Sequence, residues 1–135
     1  MDEKFGKKSE MVKLVLDTDV IVDLLRTGDG VLVEIESLLN EGRAEAYISA
    51  VTMLEIRAGE NTWEQEKLLE DILENIEIVS IDKQLAEFLG RMKRKLKGAM
   101  TLADLMIGGT SQRLKAKLVT RNKKHFESIV GIKFY

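Results

Sequence analysis

The sequence predicts a single α/β domain in which helices flank a central parallel sheet of four to five strands. Short apolar runs alternate along the chain with stretches in which apolar residues recur at helical spacing. No hairpin turn signals separate the apolar runs, so the connections are expected to cross over the sheet. The 135 residues, of which 44% are hydrophobic and 33% charged, suit one buried core.

The predicted elements begin at Met11, because residues 1–10 hold one large apolar side chain among charges and are expected to form a disordered extension. Strands are predicted where Val, Ile and Leu run together without helical spacing. In chain order these runs are 12–16, closed by Asp17; 46–48; 76–81, closed by Asp82; 118–120; and the extended end 132–135.

Helices are predicted where apolar residues recur three and four positions apart, and glycines mark several of the ends. In chain order these segments are 20–27 before Gly28, 31–41 before Gly42, 52–58, 64–75, 83–97 before Gly98, 101–115, and a short turn or helix at 122–127. Gly108 and Gly109 fall inside the sixth segment, where each costs roughly 1 kcal/mol relative to alanine. They indicate a close approach to a neighbouring element or a local break.

Cysteine is absent and His125 is the one histidine, which excludes many kinds of site. Disulfides, iron–sulfur clusters, thiol catalysis and metal sites built from several histidines are ruled out. No run of hydrophobic residues exceeds three, which is too short to cross a bilayer or to form the core of a secretion signal. We therefore expect a cytoplasmic protein without a membrane partner, whose chemistry is that of carboxylates.

The charge is unevenly distributed between the two parts of the chain. Residues 1–82 hold 8 basic and 20 acidic residues, whereas residues 83–135 hold 13 basic and 3 acidic residues. Such an asymmetry hints at a surface that binds a polyanion, if the fold gathers the basic residues on one face. The simpler interpretation is that mixed charge keeps a small domain soluble.

Acidic residues stand close to the carboxyl ends of the predicted strands, where sites form in parallel sheets. Asp17 and Asp19 follow the first strand, and Glu55 lies in the helix after the second. Asp104 lies at the start of the helix that precedes the fourth strand. A cluster of such carboxylates would repel itself unless protons neutralised it or a cation bridged it, and a divalent metal is the simplest solution.

Helix capping is the simpler interpretation of each acid taken alone. Glu55 and Asp104 stand three residues after Thr52 and Thr101, as in a capping box. Asp17, at a strand end, is placed to cap the following helix. Capping does not require the acids to converge on one edge of the sheet, however, whereas the predicted topology brings them together there.

Four segments of the sequence resemble the conserved blocks of PIN-domain nucleases, in particular the VapC toxins of toxin–antitoxin pairs. They cover nearly everything from Met11 onward, and the four in order are more specific than any one of them. The segments are LVLDTDVIVDLL (14–25), ISAVTMLEIRAGE (48–60), MTLADLMIGGTSQ (100–112) and LVTRNKKHFESIVGIKF (118–134). The resemblance implies a PIN-like nuclease domain over residues 11–135.

By this resemblance Asp17, Glu55 and Asp104 match the invariant acids of the family. They would hold Mg²⁺ or Mn²⁺, with Asp17 and Asp104 as the principal ligands and Glu55 as a ligand or the base that orients water. The ion would activate water for in-line attack on an RNA phosphodiester, leaving 5′-phosphate and 3′-hydroxyl ends. The implied function is that of a metal-dependent endoribonuclease, the toxin of a VapBC-type pair.

Thr120 and Asn122 match the fourth block of the family, and His125 stands where many members carry Asp or Glu. Asn122 is expected to act in catalysis as a weak metal ligand or through a hydrogen bond to a ligand, while Thr18 and Thr120 position the ligands. The departure at His125 leaves open whether one or two ions bind. That histidine is expected to be structural, beside Phe126, or to touch a substrate phosphate.

The basic part of the chain acquires a role if the substrate is RNA. Arg91 and Arg94 lie near the end of a predicted helix, and Arg121 and Lys123 follow the fourth strand; all four are candidates for contact with RNA phosphates. For any one of them, a solvated position near a helix end is the simpler interpretation. The resemblance also implies a homodimer whose active groove is blocked by the tail of a cognate VapB-like antitoxin.

Two other functions stay open at this point. A PIN-like domain that has lost catalysis would bind RNA or a protein partner, although the intact set of acids argues against such a loss. LVLDTDV is also similar to the Asp-x-Asp motif of haloacid dehalogenase phosphatases, in which the first Asp is the nucleophile. That motif takes Thr or Val at its fifth position, where this chain has Ile21, and the later paired-Asp motif is absent from the sequence.

Overall fold

A computed structural model describes residues 11–135, so the extension expected at residues 1–10 lies outside the described residues. In the described part of the chain, five parallel strands form one sheet in the order β3-β2-β1-β4-β5. The strands are β1 Val12–Leu16, β2 Ala44–Ser49, β3 Ile76–Val79, β4 Lys117–Val119 and β5 Lys133–Phe134. The predicted fold class, a parallel sheet of four to five strands flanked by helices, is confirmed.

Six α-helices connect the strands over residues 11–135, at the positions that the apolar spacing predicts. They are α1 Thr18–Thr27, α2 Val31–Asn40, α3 Ala50–Ala58, α4 Trp63–Leu73, α5 Lys83–Lys95 and α6 Leu102–Leu114, with a short 3-10 helix at Lys123–His125. No helix among the described residues has the length and apolar character needed to cross a membrane.

β1 lies at the centre of the sheet, with Val15 level with Tyr47 of β2 and with Leu118 of β4. Its side chains alternate between two cores, and Leu14, Val15 and Leu16 are all fully buried. Leu14 and Leu16 pack with α1 and α2, whereas Val15 packs with α6 and the segment after β4. Since the neighbouring strands are parallel to β1, their carboxyl ends meet at one edge of the sheet.

The start of α3 differs from the sequence prediction in a way that matters for the site. The helix begins at Ala50 rather than Thr52, because the Ser49 hydroxyl accepts a hydrogen bond from the Val51 amide (3.2 Å) and caps it. Thr52 therefore lies inside α3, where it is fully buried. The interpretation of Thr52 and Glu55 as a capping box is wrong.

The paired glycines of α6 allow two neighbouring segments to pack directly on the helix. A Cβ at Gly109 would clash with Leu89 of α5. A Cβ at Gly108 would lie 2.5 Å from Cδ1 of Ile129 and 2.8 Å from Cδ1 of Phe126. The predicted close approach is confirmed, and Phe126, which is fully buried, joins the segment after β4 to α6.

Candidate active site

Asp17 lies at the carboxyl end of the central strand, where it caps α1. Its Oδ1 accepts a hydrogen bond from the Thr18 amide (2.8 Å), and its Oδ2 accepts one from the Thr120 hydroxyl (2.7 Å). Thr120 follows β4, the parallel neighbour of β1, so the sheet itself brings the two residues together. The carboxylate is thus both the predicted cap and the anchor of the site.

The environment of Asp17 disfavours its charged form. Burial, with smaller contributions from the negative charges of Asp19 and Asp104, raises the pKa of Asp17 to about 6. The hydrogen bonds from Thr120 and Thr18 lower the pKa but do not offset the burial. At neutral pH the carboxylate is ionised at a cost in free energy, and a nearby cation would relieve that cost.

Glu55 reaches the same edge from α3 and is connected to α1 by a hydroxyl group. The Thr18 hydroxyl donates to Oε1 of Glu55 (2.6 Å). The hydroxyls of Thr18 and the buried Thr52 lie 3.1 Å apart, which holds Thr18 against α3. Thr18 therefore contacts Asp17 through its amide and Glu55 through its hydroxyl.

Asp104 lies in the first turn of α6, where the Thr101 hydroxyl accepts a hydrogen bond from the Asp104 amide (3.1 Å). Thr101 is the helix cap that the sequence predicts. The Asp104 carboxylate lies next to His125, with its Oδ2 3.5 Å from Nδ1 of that residue. Its negative charge contributes to the raised pKa of Asp17, which places the two acids within electrostatic reach of each other.

Asp19, which follows the first strand together with Asp17, belongs to the same edge, although it was not one of the three predicted ligands. Its Oδ2 accepts hydrogen bonds from the Arg121 amide (3.2 Å) and from Nδ2 of Asn122 (2.9 Å). Its Oδ1 is buried and finds no hydrogen-bond partner within residues 11–135. Burial also raises the pKa of Asp19. The signal in the sequence is the Asp17-x-Asp19 spacing, which puts Asp19 in the first turn of α1.

Asn122 contacts Asp19 rather than one of the three predicted ligands. Besides the side-chain bond to Asp19, the backbone amide of Asn122 donates to the Thr120 hydroxyl (3.0 Å). Thr120 in turn donates to Asp17, so the loop after β4 is joined to both aspartates. The Asn122 side chain makes no hydrogen bond to Asp17, Glu55 or Asp104 within residues 11–135, and its part in catalysis stays a prediction.

The basic residues predicted to contact RNA lie in different surroundings. The guanidinium of Arg121 is 3.1 Å from Oδ1 of Asp23, and Nζ of Lys123 is 5.7 Å from the centre of the Phe134 ring. Arg91 and Arg94 are exposed on α5, and Arg91 lines an apolar cavity of about 260 Å³.

A second cavity, of about 360 Å³, adjoins Asp104. Lys97, Lys124 and His125 line this cavity together with hydroxyl-bearing residues. The closeness of the two lysines to Asp104 depends on how the loops before α6 and after β4 meet.

Comparison with known proteins decides the family. The profile of the PIN domain matches residues 14–131, a stretch that includes every acid described above. The chain belongs to the PIN domain family. This assignment confirms the resemblance seen in the sequence, and the haloacid dehalogenase alternative is wrong.

The PIN domain has relatives of known name and structure. This chain is 34% identical to Ribonuclease VapC1 of Methanocaldococcus jannaschii over 140 residues, which cover 98% of this chain and 96% of the relative. It matches DNA-bound VapBC from Salmonella typhimurium with a TM-score of 0.77 and 26% identity, over 93% of this chain and 98% of that chain. VapBC2 from Rickettsia felis, bound to a promoter DNA fragment, matches in fold with a TM-score of 0.77 and 19% identity, over 92% and 98%.

The donors of this PIN domain fit a hard divalent cation. They are carboxylate oxygens, and both the buried Oδ1 of Asp19 and the raised pKa of Asp17 are features that a cation would relieve. Within residues 11–135, no three acidic or imidazole side chains are grouped closely enough to hold an ion as they stand.

Proposed function

We propose that this PIN domain is a Mg²⁺- or Mn²⁺-dependent endoribonuclease and the toxin of a VapBC-type toxin–antitoxin pair. The observation that carries the proposal is the buried Asp17 at the end of the central strand, its pKa raised to about 6, with Glu55 and Asp104 on helices beside it. The 34% sequence identity to Ribonuclease VapC1 supports RNA as the substrate. The similarity to the Salmonella VapBC structure supports an antitoxin partner. We place the activity in the cytoplasm, where the RNA is.

In this proposal Asp17 and Asp104 are the principal metal ligands, and Glu55 is a ligand or orients the attacking water. When bound, the ion supplies an activated water and stabilises the negative charge that develops on the phosphate. Thr120 holds Oδ2 of Asp17 and Thr18 holds Oε1 of Glu55, so each hydroxyl fixes the direction of one carboxylate.

Hydrolysis adds water across the P–O3′ bond. The water oxygen bonds to phosphorus, the 3′-oxygen leaves with a proton, and the products are a 5′-phosphate and a 3′-hydroxyl. Glu55 is exposed, and Thr18 engages its Oε1, so we assign its Oε2 to the proton of the attacking water. Asn122 acts indirectly. Its Nδ2 donates a hydrogen bond to Asp19 and so keeps the loop after β4 against α1.

A homodimer is part of the same proposal. Leu54 of α3 and Leu102 of α6 are 65% and 59% exposed, and the two helices pack on each other next to the acids. We propose that these two side chains lie in the contact between the two copies. The tail of the antitoxin would then compete with RNA for the acidic edge.

Metal-dependent cleavage of RNA tests the proposal directly. Labelled structured RNAs, including tRNA, are incubated with Mg²⁺, Mn²⁺ or EDTA and the wild type, and cutting is expected with either ion but not with EDTA. The Asp17→Asn/Asp104→Asn double variant should cut at least about 100-fold more slowly. Asp82→Asn is the matched control, because Asp82 also follows a strand and caps a helix, through the Leu85 amide (2.8 Å).

Equal cleavage by the wild type and the double variant would contradict the nuclease proposal. If neither cuts and both bind RNA with the same affinity in the presence of metal, the alternative of a catalytically inactive binding module is correct. Loss of activity in Asp82→Asn as well would assign the effect to helix capping rather than to the site.

The basic surface around Asp104 predicts salt-dependent RNA binding. We propose that RNA phosphates contact Lys97 and Lys124 in addition to the sequence candidates Arg91, Arg94, Arg121 and Lys123. Lys97→Gln/Lys124→Gln should lower affinity for RNA and reduce the slope of log K against log salt by about 1 to 2, measured in EDTA to prevent cleavage. Lys67→Gln on α4 is the control, and an equal change in its slope would show that net charge alone is responsible.

A further inference from the structure

We propose that His125 is a nitrogen ligand of the metal site, next to Asp104, and that it makes the site prefer Mn²⁺ or a later first-row ion to Mg²⁺. The inference rests on the proposed function, since it takes Asp104 to be a metal ligand. It assigns a chemical role to the one histidine of the chain, which the carboxylate mechanism does not use.

The geometry places the imidazole against a ligand. Nδ1 of His125 lies 3.5 Å from Oδ2 of Asp104. At this separation the two atoms could both bind one ion, with His125 supplying nitrogen and Asp104 supplying oxygen. The His125 side chain is 60% exposed and the Asp104 side chain 23%, so an incoming ion has access to the pair.

The backbone holds His125 in this position. Its amide donates to the Asn122 carbonyl (3.0 Å), and the next amide, of Phe126, donates to the Lys123 carbonyl (3.0 Å). The ring of Phe126 is fully buried against Gly108, which lies one turn beyond Asp104 on the same face of α6. The packing of Phe126 on Gly108 therefore sets His125 beside Asp104.

The lining of the 360 Å³ cavity contains both groups that bind cations and groups that bind anions. Asp104 and His125 carry the strong metal-binding atoms, whereas Lys97 and Lys124 suit the phosphates of the substrate. Carboxylates alone favour Mg²⁺ and Mn²⁺, and an imidazole adds affinity for Mn²⁺ and the later first-row ions. A mixed set of oxygen donors and one imidazole therefore selects against Mg²⁺.

Metal binding by the tag-free full chain, without RNA, tests this inference. Calorimetric titrations with MgCl₂, MnCl₂ and CoCl₂ compare wild type, His125→Asn and His125→Asp. His125→Asn should weaken Co²⁺ binding by about 10- to 100-fold and Mg²⁺ binding by less than threefold, because asparagine keeps a polar contact to Asp104 but removes the imidazole. His125→Asp should retain Mg²⁺ binding and lose the preference for Co²⁺.

A spectroscopic signature separates ligation from simple orientation of Asp104. Pulsed electron paramagnetic resonance of bound Mn²⁺ should show coupling to an imidazole nitrogen in the wild type and none in His125→Asn. Lys124→Gln, the matched control in the same cavity, should change the affinities for all three ions in parallel and keep the nitrogen coupling.

Absence of the nitrogen coupling in the wild type, or an equal loss of Mg²⁺ and Co²⁺ affinity in His125→Asn, would overturn the inference while leaving the proposed function intact. Unchanged metal binding by the Asp17→Asn/Asp104→Asn variant would instead overturn the metal assignment on which the proposed function stands. The two failures are therefore distinguishable in one set of titrations.

Discussion

Asp17→Asn is expected to abolish RNA cleavage and, at the same time, to stabilise the metal-free protein at neutral pH. Cleavage should fall at least about 100-fold, because the variant loses the negative charge of a proposed metal ligand. Stability should rise because asparagine fills the same buried space, retains an acceptor for the Thr18 amide, and carries no charge to be desolvated. The measurement is chemical denaturation in EDTA, together with a cleavage assay in Mn²⁺.

The sign of the pH dependence follows from the raised pKa of Asp17. Its folded pKa of about 6 exceeds the unfolded value of 3.8, so the folded state binds this proton more tightly. The contribution of Asp17 to stability is thus fully present below pH 4 and is lost as the pH rises through about 6. A shift of this size corresponds to at most about 3 kcal/mol, and the loss of one hydrogen bond from Thr120 reduces the net gain of the variant to about 1 to 2 kcal/mol.

At pH 4 folded wild-type Asp17 is protonated, so the advantage of Asp17→Asn should be absent there or reversed by the lost hydrogen bond from Thr120. The advantage should reach its full size above pH 7. Added Mg²⁺ or Mn²⁺ should reverse the order, because an ion at one hundred times its dissociation constant stabilises the protein that binds it by about 2.7 kcal/mol. Asp82→Asn, at the exposed cap of α5, should change stability by less than about 0.5 kcal/mol at any of these pH values. A destabilised Asp17→Asn at pH 7 would mean that capping outweighs burial at this position.

The fold could be predicted from the sequence because its strands and helices carry strong local patterns. Leu14, Val15 and Leu16 form a continuous apolar run, as a strand buried on both faces requires. The start of α3 could not be predicted in the same way, since both Ser49 and Thr52 are good caps. Thr52 lies inside the helix, where its hydroxyl contacts that of Thr18, 34 residues earlier in the chain. The local spacing of residues does not predict such a contact.

The site was predicted to the extent that topology determines it. Asp17, Glu55 and Asp104 were expected at one edge because parallel strands end together. The structure places Asp17 directly after β1, Glu55 on α3 and Asp104 on α6 around that edge. The roles of Asp19 and Arg121 depend on contacts about 100 residues apart in sequence, which no motif encodes. Arg121 illustrates the limit, since its ion pair with Asp23 joins residues 98 positions apart and no local pattern indicates it.

Phe126→Ala is expected to be among the most destabilising single changes in the chain. Phe126 is fully buried in the core that contains Val15, Ile107 and Leu118, and truncation of such a phenylalanine costs about 3 to 5 kcal/mol. Because domains of this kind are stable by about 5 to 15 kcal/mol, the loss is a large part of the total. Phe88→Ala, on a half-buried ring of α5, is the matched control and should cost less than half as much in urea denaturation.

A double-mutant cycle locates the effect at the contact with α6. Gly108→Ala alone should destabilise the protein, since its Cβ would lie 2.8 Å from the Phe126 ring and 2.5 Å from Ile129. In the Phe126→Ala background one of these clashes is gone, so the cost of Gly108→Ala should fall by about 0.5 kcal/mol or more. Strictly additive costs would show that Phe126 stabilises the core without fixing the segment to α6. The position of His125 beside Asp104 would then need another cause, because it is the Phe126 side chain that joins the backbone around His125 to α6.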